Sequence, residues 1–342
     1  MIIELIEGAT EEQRDEVAKL VKGLGYKPTY VQTQRGEYFV AIGKADFDIR
    51  VVGHHPHVRD VYRVSDAYKL VSRKWKAKPT RISLGDGVEV REGGLSLMAG
   101  PCSIESEEQV RAIVGHLSQC GVQIMRGGAF KPRTSPYAFR GLGLDGLKMW
   151  HQVAKEHNIK IVTEVMEISQ IEPMYEYVDM YQVGARNTQN YSLLHELGNV
   201  DKPVLIKRGI SGTLDELLQS AEYIFANGNE KLLLCERGVR TYESSYRNML
   251  DINAIPTLKE KSHLPVIIDP SHGIGVRQHV KSVALAGVIA GADGVIFETH
   301  PEPERAFSDA QQTLNFDESK SLVERARAVF ELRKSFDLPA ES

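Results

Sequence analysis

Gln123-Ile-Met-Arg126-Gly-Gly-Ala-Phe-Lys-Pro-Arg-Thr-Ser-Pro136 is the stretch on which the fold turns. Its first four residues are a short apolar run closed by an arginine, as a buried strand reads when it leaves a core. Arg126, Lys131 and Arg133 then fall within eight residues, beside two glycines, a Thr and a Ser. Cations, backbone amides and hydroxyls at a strand end suit phosphate and carboxylate groups. A solvated basic loop is the plainer alternative. Apolar Phe130 and the rigid prolines argue instead for a shaped loop.

The same grammar repeats outward from this strand. Further apolar runs stand at Leu95–Ala99, Lys160–Thr163, Met180–Val183, Pro203–Ile206, Lys231–Cys235, Pro265–Ile268 and Gly294–Phe297. Most are continuous rather than alternating, as in parallel strands covered on both faces. Helical periodicity fills the intervals, at Glu107–Cys120, Leu144–His157, Thr213–Ala226 and Arg277–Ala290. Eight βα units predict an α/β fold, the (β/α)8 or TIM barrel. A doubly wound open sheet is the rival, but no Gly-rich dinucleotide fingerprint follows any strand.

Residues 1–72 read as a small separate α+β unit. Ile2–Ile6 is an apolar strand, and Thr10-Glu-Glu-Gln13 is a capping box that starts a helix. Val17, Leu20, Val21 and Leu24 share one helical face before Gly25. Thr29–Gln34 and Tyr38–Ile42 flank an Arg35-Gly36 turn, and a short helix around Phe47–Val52 precedes a last strand around Val58–Val64. The β-α-β-β-α-β order is ferredoxin-like. His54-His-Pro-His57 is a metal candidate that reads more simply as a solvated turn. Residues 73–81, basic and carrying Pro79, read as a linker. Residues 82–342 would form the barrel, opening with a hairpin around the Asp86-Gly87 turn.

Composition sets the outer limits. With 342 residues and a net charge of -4, the chain suits about two domains and carries no electrostatic footprint for nucleic acid or an anionic membrane. No apolar stretch is long enough to cross a bilayer and no signal-peptide pattern is present, so the cytoplasm is the expected compartment. Three cysteines are too few for a disulfide framework, and Cys120 reads as core.

In a (β/α)8 barrel the reacting groups stand at the C-terminal ends of the strands. Here those ends carry Cys102, Arg126, Glu164, Arg186, Lys207 with Arg208, Glu236 with Arg237, Asp269 with His272, and Glu298. Arg126, Lys131, Arg133, Arg186, Lys207 and Arg237 would hold anions. Cys102, His272, Glu298 and Asp309 offer one thiolate, one imidazole and two carboxylates. That donor set fits a divalent first-row metal such as Mn, Fe, Co or Zn, and magnesium would not favour the sulfur. A helix-capping or core role is the alternative for His272.

Taken together, Met98-Ala-Gly-Pro-Cys102-Ser, Arg126-Gly-Gly-Ala-Phe-Lys-Pro-Arg-Thr-Ser135, Gly184-Ala-Arg186-Asn, Lys207-Arg-Gly, Cys235-Glu-Arg237-Gly, Asp269-Pro-Ser-His272-Gly and Phe297-Glu298-Thr-His-Pro resemble the 3-deoxy-D-arabino-heptulosonate 7-phosphate (DAHP) synthases. The resemblance extends over about residues 1–335 and is closest to the type Iβ branch, which carries a ferredoxin-like N-terminal domain. The sister family, the 3-deoxy-D-manno-octulosonate 8-phosphate synthases, shares barrel and reaction type. It carries Ala-Asn-Arg-Ser-Ser after the loop lysine, where this chain reads Lys131-Pro-Arg-Thr-Ser135.

The resemblance implies condensation of phosphoenolpyruvate (PEP) with D-erythrose 4-phosphate, the entry step of the shikimate pathway. Arg186, Lys207 and Arg237 would face the PEP phosphate, with Arg126 and Lys131 nearer its carboxylate. Arg133, Thr134 and Ser135 would hold the erythrose 4-phosphate phosphate. Lys131, Glu164 and Asp269 are the catalytic candidates, with Lys131 as general acid. The metal would be held by Cys102, His272, Glu298 and Asp309, with manganese the first expectation. The resemblance further implies a regulatory N-terminal domain that binds tyrosine or phenylalanine, in a homotetramer. A Schiff-base aldolase using Lys207 or Lys131 is the rival chemistry.

Overall fold

The computed structural model describes residues 1–76, 78–131, 137 and 139–336. Strands Ile2–Leu5 (β1), Lys27–Gln32 (β2), Glu37–Ile42 (β3) and Val58–Tyr62 (β4) form an antiparallel sheet in the order β2-β3-β1-β4. The helix Glu11–Gly23 starts with the expected capping box. The Thr10 hydroxyl accepts from the Gln13 amide at 3.3 Å, and the Gln13 side chain accepts from the Thr10 amide at 2.9 Å. Ile3, Leu5, Val17, Val21, Phe39 and Val52 fill the core between helix and sheet. The element order is β-α-β-β-α-β, but the second helix is a single turn, Arg50–Gly53. It starts later than the Phe47–Val52 expectation, at Arg50, where the Asp48 carboxylate accepts from both the Arg50 amide and its guanidinium.

Two short strands, Arg81–Gly85 (β5) and Val88–Arg91 (β6), form a hairpin through the Asp86-Gly87 turn. Both turn residues have positive φ, +50° and +78°, as a two-residue hairpin turn demands. Eight parallel strands then close a barrel: Ser96–Gly100 (β7), Ile124–Gly127 (β8), Lys160–Val165 (β9), Met180–Val183 (β10), Val204–Lys207 (β11), Leu232–Glu236 (β12), Val266–Ile268 (β13) and Gly294–Glu298 (β14). All eight coincide with the expected apolar runs to within two residues. Among the described residues, no helix is long and apolar enough to cross a membrane.

Strand alternation sorts the barrel residues into two cores. Met98, Ile124, Val162, Met180, Leu205, Leu233, Ile267 and Ile296, one from each strand, pack together inside the barrel. Ile82, Leu84, Val88 and Val90 of the hairpin join them and plug the N-terminal end. Their neighbours, such as Met125, Ile161, Tyr181, Ile206, Leu234 and Phe297, face the surrounding helices.

The N-terminal unit packs at this closed end. Gln34 and Thr33 bond Asn229 and Glu230, which precede β12. The basic segment after residue 72, expected as a linker, is packed rather than loose. Trp75 is buried edge-on against Tyr38, Phe225 and His263, and Glu222 accepts hydrogen bonds from the Lys69, Leu70 and Val71 amides. The His54-His-Pro-His57 turn shows no metal arrangement among the described residues. Its His57 side chain lies 3.2 Å from Glu16 instead.

Candidate active site at the barrel mouth

One pleat beyond the apolar layer, the inward positions of the same strands change character. They are Gly100, Arg126, Glu164, Gln182, Lys207, Cys235, Asp269 and Glu298, followed by Gly184 and Arg237 one further pleat on. A cavity of about 350 Å³ opens above them, walled by Lys131, Glu164, Arg186, Arg237, His272 and Asp309, among others.

Two glycines make this layer fit. Gly100 has φ +155° and lies so close to β8 that a Cβ would stand 2.0 Å from the Arg126 carbonyl oxygen. A Cβ on Gly184 would stand 2.0 Å from Glu164 Oε1, so the missing side chain is the space the Glu164 carboxylate occupies.

The structure brings the four metal-ligand candidates together from four chain segments. Ligand atoms of Cys102, Glu298 and Asp309 lie within 4.8 Å of one another. His272 Nε2 reaches the set from the side, 3.5 Å from Glu298 Oε1 and 4.0 Å from Asp309 Oδ2. The Cys102 thiol donates to Asp309 Oδ2 at 3.1 Å, and burial pushes its pKa up to about 11. Burial works against ionisation of Asp309 too, but His272 and Arg247 hold its pKa down to about 2. A protonated thiol on a carboxylate, with an imidazole beside it, is a donor set that closes on a divalent cation once the thiol proton leaves. The residues therefore fit a metal ion.

Asp269 orients the imidazole. Its carboxylate accepts from Lys207 Nζ, approaches His272 Nδ1 at 2.7 Å and accepts from the His272 amide at 3.0 Å. Burial raises a carboxylate's pKa, but the His272 and Lys207 charges outweigh it and hold Asp269 well below the usual range. Burial also lowers the His272 pKa, against the pull of Asp269 and Glu298, and its Nε2 faces the Glu298 carboxylate. Asp269 thus binds both a cation and a ligand candidate from beneath the cavity.

Arg126 ties the two sets together. Its Nη1 donates to the Pro101 carbonyl at 2.8 Å and to Glu298 Oε1 at 2.9 Å, fully buried. Lys131 Nζ donates to the Cys102 carbonyl at 3.0 Å while lining the cavity, so it stands between metal candidates and cations. Arg186 and Arg237 line the opposite wall, and Arg237 is buried. The Arg133, Thr134 and Ser135 expectations lie outside the described residues.

Among the strand-end residues, two are turned out of the barrel interior. Arg208 and Glu236 pair with each other at 2.8 Å, and Arg208 also bonds Asp251 at 3.0 Å. Each follows an inward-facing residue by one position, so the pleat turns it toward the helices. Other cavity groups carry no strand-end signal. Arg240, Arg247 and Asn248 come from the loop after β12, and Arg247 Nη1 pairs with Asp309 Oδ1 at 3.1 Å and Gln312 at 2.7 Å. Buried Gln312 in turn donates to Glu298 Oε2 at 2.7 Å.

Comparison with known proteins gives a consistent set of relatives. The DAHP synthetase I family model matches residues 76–335. A phospho-2-dehydro-3-deoxyheptonate aldolase from Thermotoga maritima is 43% identical over 333 residues, covering 96% of this chain and 97% of that protein. The crystal structure of a phospho-2-dehydro-3-deoxyheptonate aldolase (DAHP synthase) from that organism aligns with a TM-score of 0.77 at 42% identity, over 97% of each chain. A truncated form aligns at 0.73 and 42% identity, covering 78% of this chain and 98% of its own. A 2-dehydro-3-deoxyphosphooctonate aldolase from Coxiella burnetii is 31% identical over 260 residues, covering 70% of this chain and 91% of that protein.

Proposed function

The chain belongs to the DAHP synthetase I family, and from that premise we propose that it condenses PEP with D-erythrose 4-phosphate to DAHP and phosphate at the barrel mouth. One observation carries the reading: a buried cation set and a mixed S/N/O donor set meet at one cavity. PEP brings a phosphate and a carboxylate, which call for several fixed cations. Arg186, Lys207 and Arg237 would hold the phosphate, with Arg126 and Lys131 toward the carboxylate and the reacting carbons. Arg133, Thr134 and Ser135 would bind the phosphate of the aldose.

Cys102, His272, Glu298 and Asp309 would hold a divalent metal, manganese first, with Fe, Co or Zn as alternatives. When bound, the metal supplies Lewis-acid polarisation of the aldehyde oxygen. Lys131 Nζ would donate a proton to that oxygen as the new carbon–carbon bond forms. Glu164, in the space beside Gly184, would orient the water that adds at PEP C2 before phosphate leaves. Asp269 holds Lys207 and His272 in place throughout.

Two features support this reading over its rivals. Lys207 Nζ is held against the buried Asp269 carboxylate, which keeps it from standing free as a nucleophile for an imine. The motif Lys131-Pro-Arg-Thr-Ser135 and the greater coverage of the Thermotoga relative favour the four-carbon aldose over the sister reaction. The test is PEP turnover with a panel of aldose phosphates. We expect the highest kcat/KM with erythrose 4-phosphate. A higher value with arabinose 5-phosphate would move the chain to the sister reaction, and borohydride trapping of a substrate adduct would point to the aldolase.

We propose in addition that residues 1–72 form a ferredoxin-like regulatory domain, joined through residues 73–81 to a catalytic barrel spanning 82–342. Its effector would be an aromatic amino acid, tyrosine or phenylalanine, bound between copies of a cytoplasmic homotetramer. The unit packs at the closed end of its own barrel, so a cover over the mouth would come from a neighbouring copy. Adding tyrosine and phenylalanine separately to the full-length enzyme tests this, and insensitivity to both would remove the proposal.

A further inference from the structure

We propose that Glu105 is a positioning residue for the metal-ligand set, bracing the loop that carries Asp309 against the loop that carries Cys102. The proposal rests on the reading that Cys102, His272, Glu298 and Asp309 hold a divalent ion.

The brace consists of few contacts, all directional. Glu105 lies three residues after Cys102, in the loop between β7 and the helix Glu107–Gln119. Its Oε1 accepts from the Ser103 hydroxyl at 3.0 Å and from the Phe307 amide at 2.9 Å. Its Oε2 lies 3.7 Å from His300 Nε2, an atom that makes no hydrogen bond among the described residues. The Ser103 and Ser308 hydroxyls meet at 3.0 Å. Gln109 fixes the near side, accepting from the Glu105 amide and donating to the Ser103 carbonyl. Ser103 follows Cys102, Ser308 precedes Asp309, and His300 stands two residues beyond Glu298. The network therefore touches the immediate neighbourhood of three ligand candidates without touching a ligand atom.

Asp309 explains why a brace is needed. It sits at φ +53°, ψ +30°, left-handed backbone that a residue with a side chain adopts only at a cost. Such a conformation persists only where its surroundings over-determine it. Arg247 and the Thr313 hydroxyl hold Asp309 from the far side. On the near side, the Phe307 amide and the Ser308 hydroxyl are its last anchors, and both lead to Glu105. A carboxylate removed from solvent costs more than an apolar contact would. What it supplies here is acceptance of donors from two loops at once.

The experiment compares wild type, Glu105→Ala, Glu105→Gln, Ser308→Ala and Cys102→Ala as metal-free proteins. Mn2+ binding is measured by calorimetry, and Co2+ binding by its thiolate charge-transfer absorption. Apparent metal KM and kcat at saturating metal follow. We expect Glu105→Ala to weaken binding roughly 10- to 100-fold, as losing support behind a ligand does. Its kcat at saturating metal should fall much less. Glu105→Gln keeps an acceptor oxygen and should recover most of the loss, and Ser308→Ala should show a smaller weakening. Unchanged metal affinity in both Glu105→Ala and Ser308→Ala overturns the brace while leaving the metal reading intact. If the wild type binds neither ion, or if Cys102→Ala binds as well as the wild type, the metal reading fails and the brace falls with it. Should Glu105→Ala not fold, Ser308→Ala decides.

Discussion

The floor and the mouth of this barrel are made by the same eight strands, one pleat apart, and they have opposite chemistry. The floor is a ring of Met, Ile, Val and Leu sealed by the hairpin β5–β6, with little polar atom to satisfy. The layer above it holds Arg126, Glu164, Lys207, Asp269 and Glu298, almost all removed from solvent. Burying apolar side chains is favourable by about 25 cal/mol per Å², whereas burying charges is costly unless they are paired. The pairs Arg126–Glu298 and Lys207–Asp269–His272 offset part of that cost. A fold under selection for stability alone has no need of the second layer. Stability thus resides in the floor and chemistry in the mouth, and substitutions in each should separate the two.

The largest effect is expected at Cys102. Cys102→Ala should lose metal and activity together while its thermal midpoint without metal stays close to wild type, checked by metal analysis and calorimetry. Full activity in this variant would remove Cys102 from the ligand set. Lys131→Ala comes next, with kcat reduced at least about 100-fold and a much smaller change in PEP binding, if it is the general acid. An effect confined to KM would make it a binding group only.

Gly184→Ala sharpens the comparison because it adds one methyl group to the mouth without adding or removing a charge. The methyl must displace the Glu164 carboxylate, so we expect kcat/KM to fall roughly 10- to 100-fold with the fold retained. Leu233→Ala is the reverse experiment. It empties fully buried volume in the floor, so stability should drop by about 2–5 kcal/mol while kcat at low temperature stays near wild type. A kcat loss matching that at Gly184 would erase the distinction between the layers.

The smallest effect concerns pH and lies outside both layers. His263, between Thr80 and the Leu70 carbonyl, has its pKa lowered by burial, and by the nearby Lys76 and Arg73 charges, from 6.5 to about 3. The unfolded chain takes up this proton below about pH 6.5 and the folded chain does not. Its contribution is therefore complete above pH 6.5 and is lost progressively as pH falls toward 3, about 2 kcal/mol over the first two pH units. His263→Gln should flatten that part of the midpoint-against-pH curve, and an unchanged slope would contradict the assignment.

The eight strands were legible because each is a continuous apolar run, and the ligand candidates because a barrel collects its strand ends at one face. Arg208 and Glu236 also stand at strand ends, but only the pleat tells that they turn outward while Lys207 and Arg237 turn inward. Arg247 and Gln312 left no trace in the sequence. They sit on loops without periodicity and reach Asp309 and Glu298 only through tertiary contacts. The same holds for Glu105, an ordinary acidic residue until Phe307 is brought beside it. The packed segment after residue 72 looked like a linker because its charges outnumber its apolar side chains, yet Trp75 packs into the core and Arg73 bonds the Lys259 and Ser262 carbonyls.

The central claim is that the mouth is a metal-dependent site for condensing PEP with an aldose phosphate. It is tested most directly by following phosphate release from PEP, with erythrose 4-phosphate present, after chelation and again after Mn2+ is returned. The chelated enzyme is expected to release no phosphate, and returned Mn2+ to restore release at one phosphate per DAHP formed. Undiminished turnover by the chelated enzyme, or release that does not depend on the aldose, would contradict the claim.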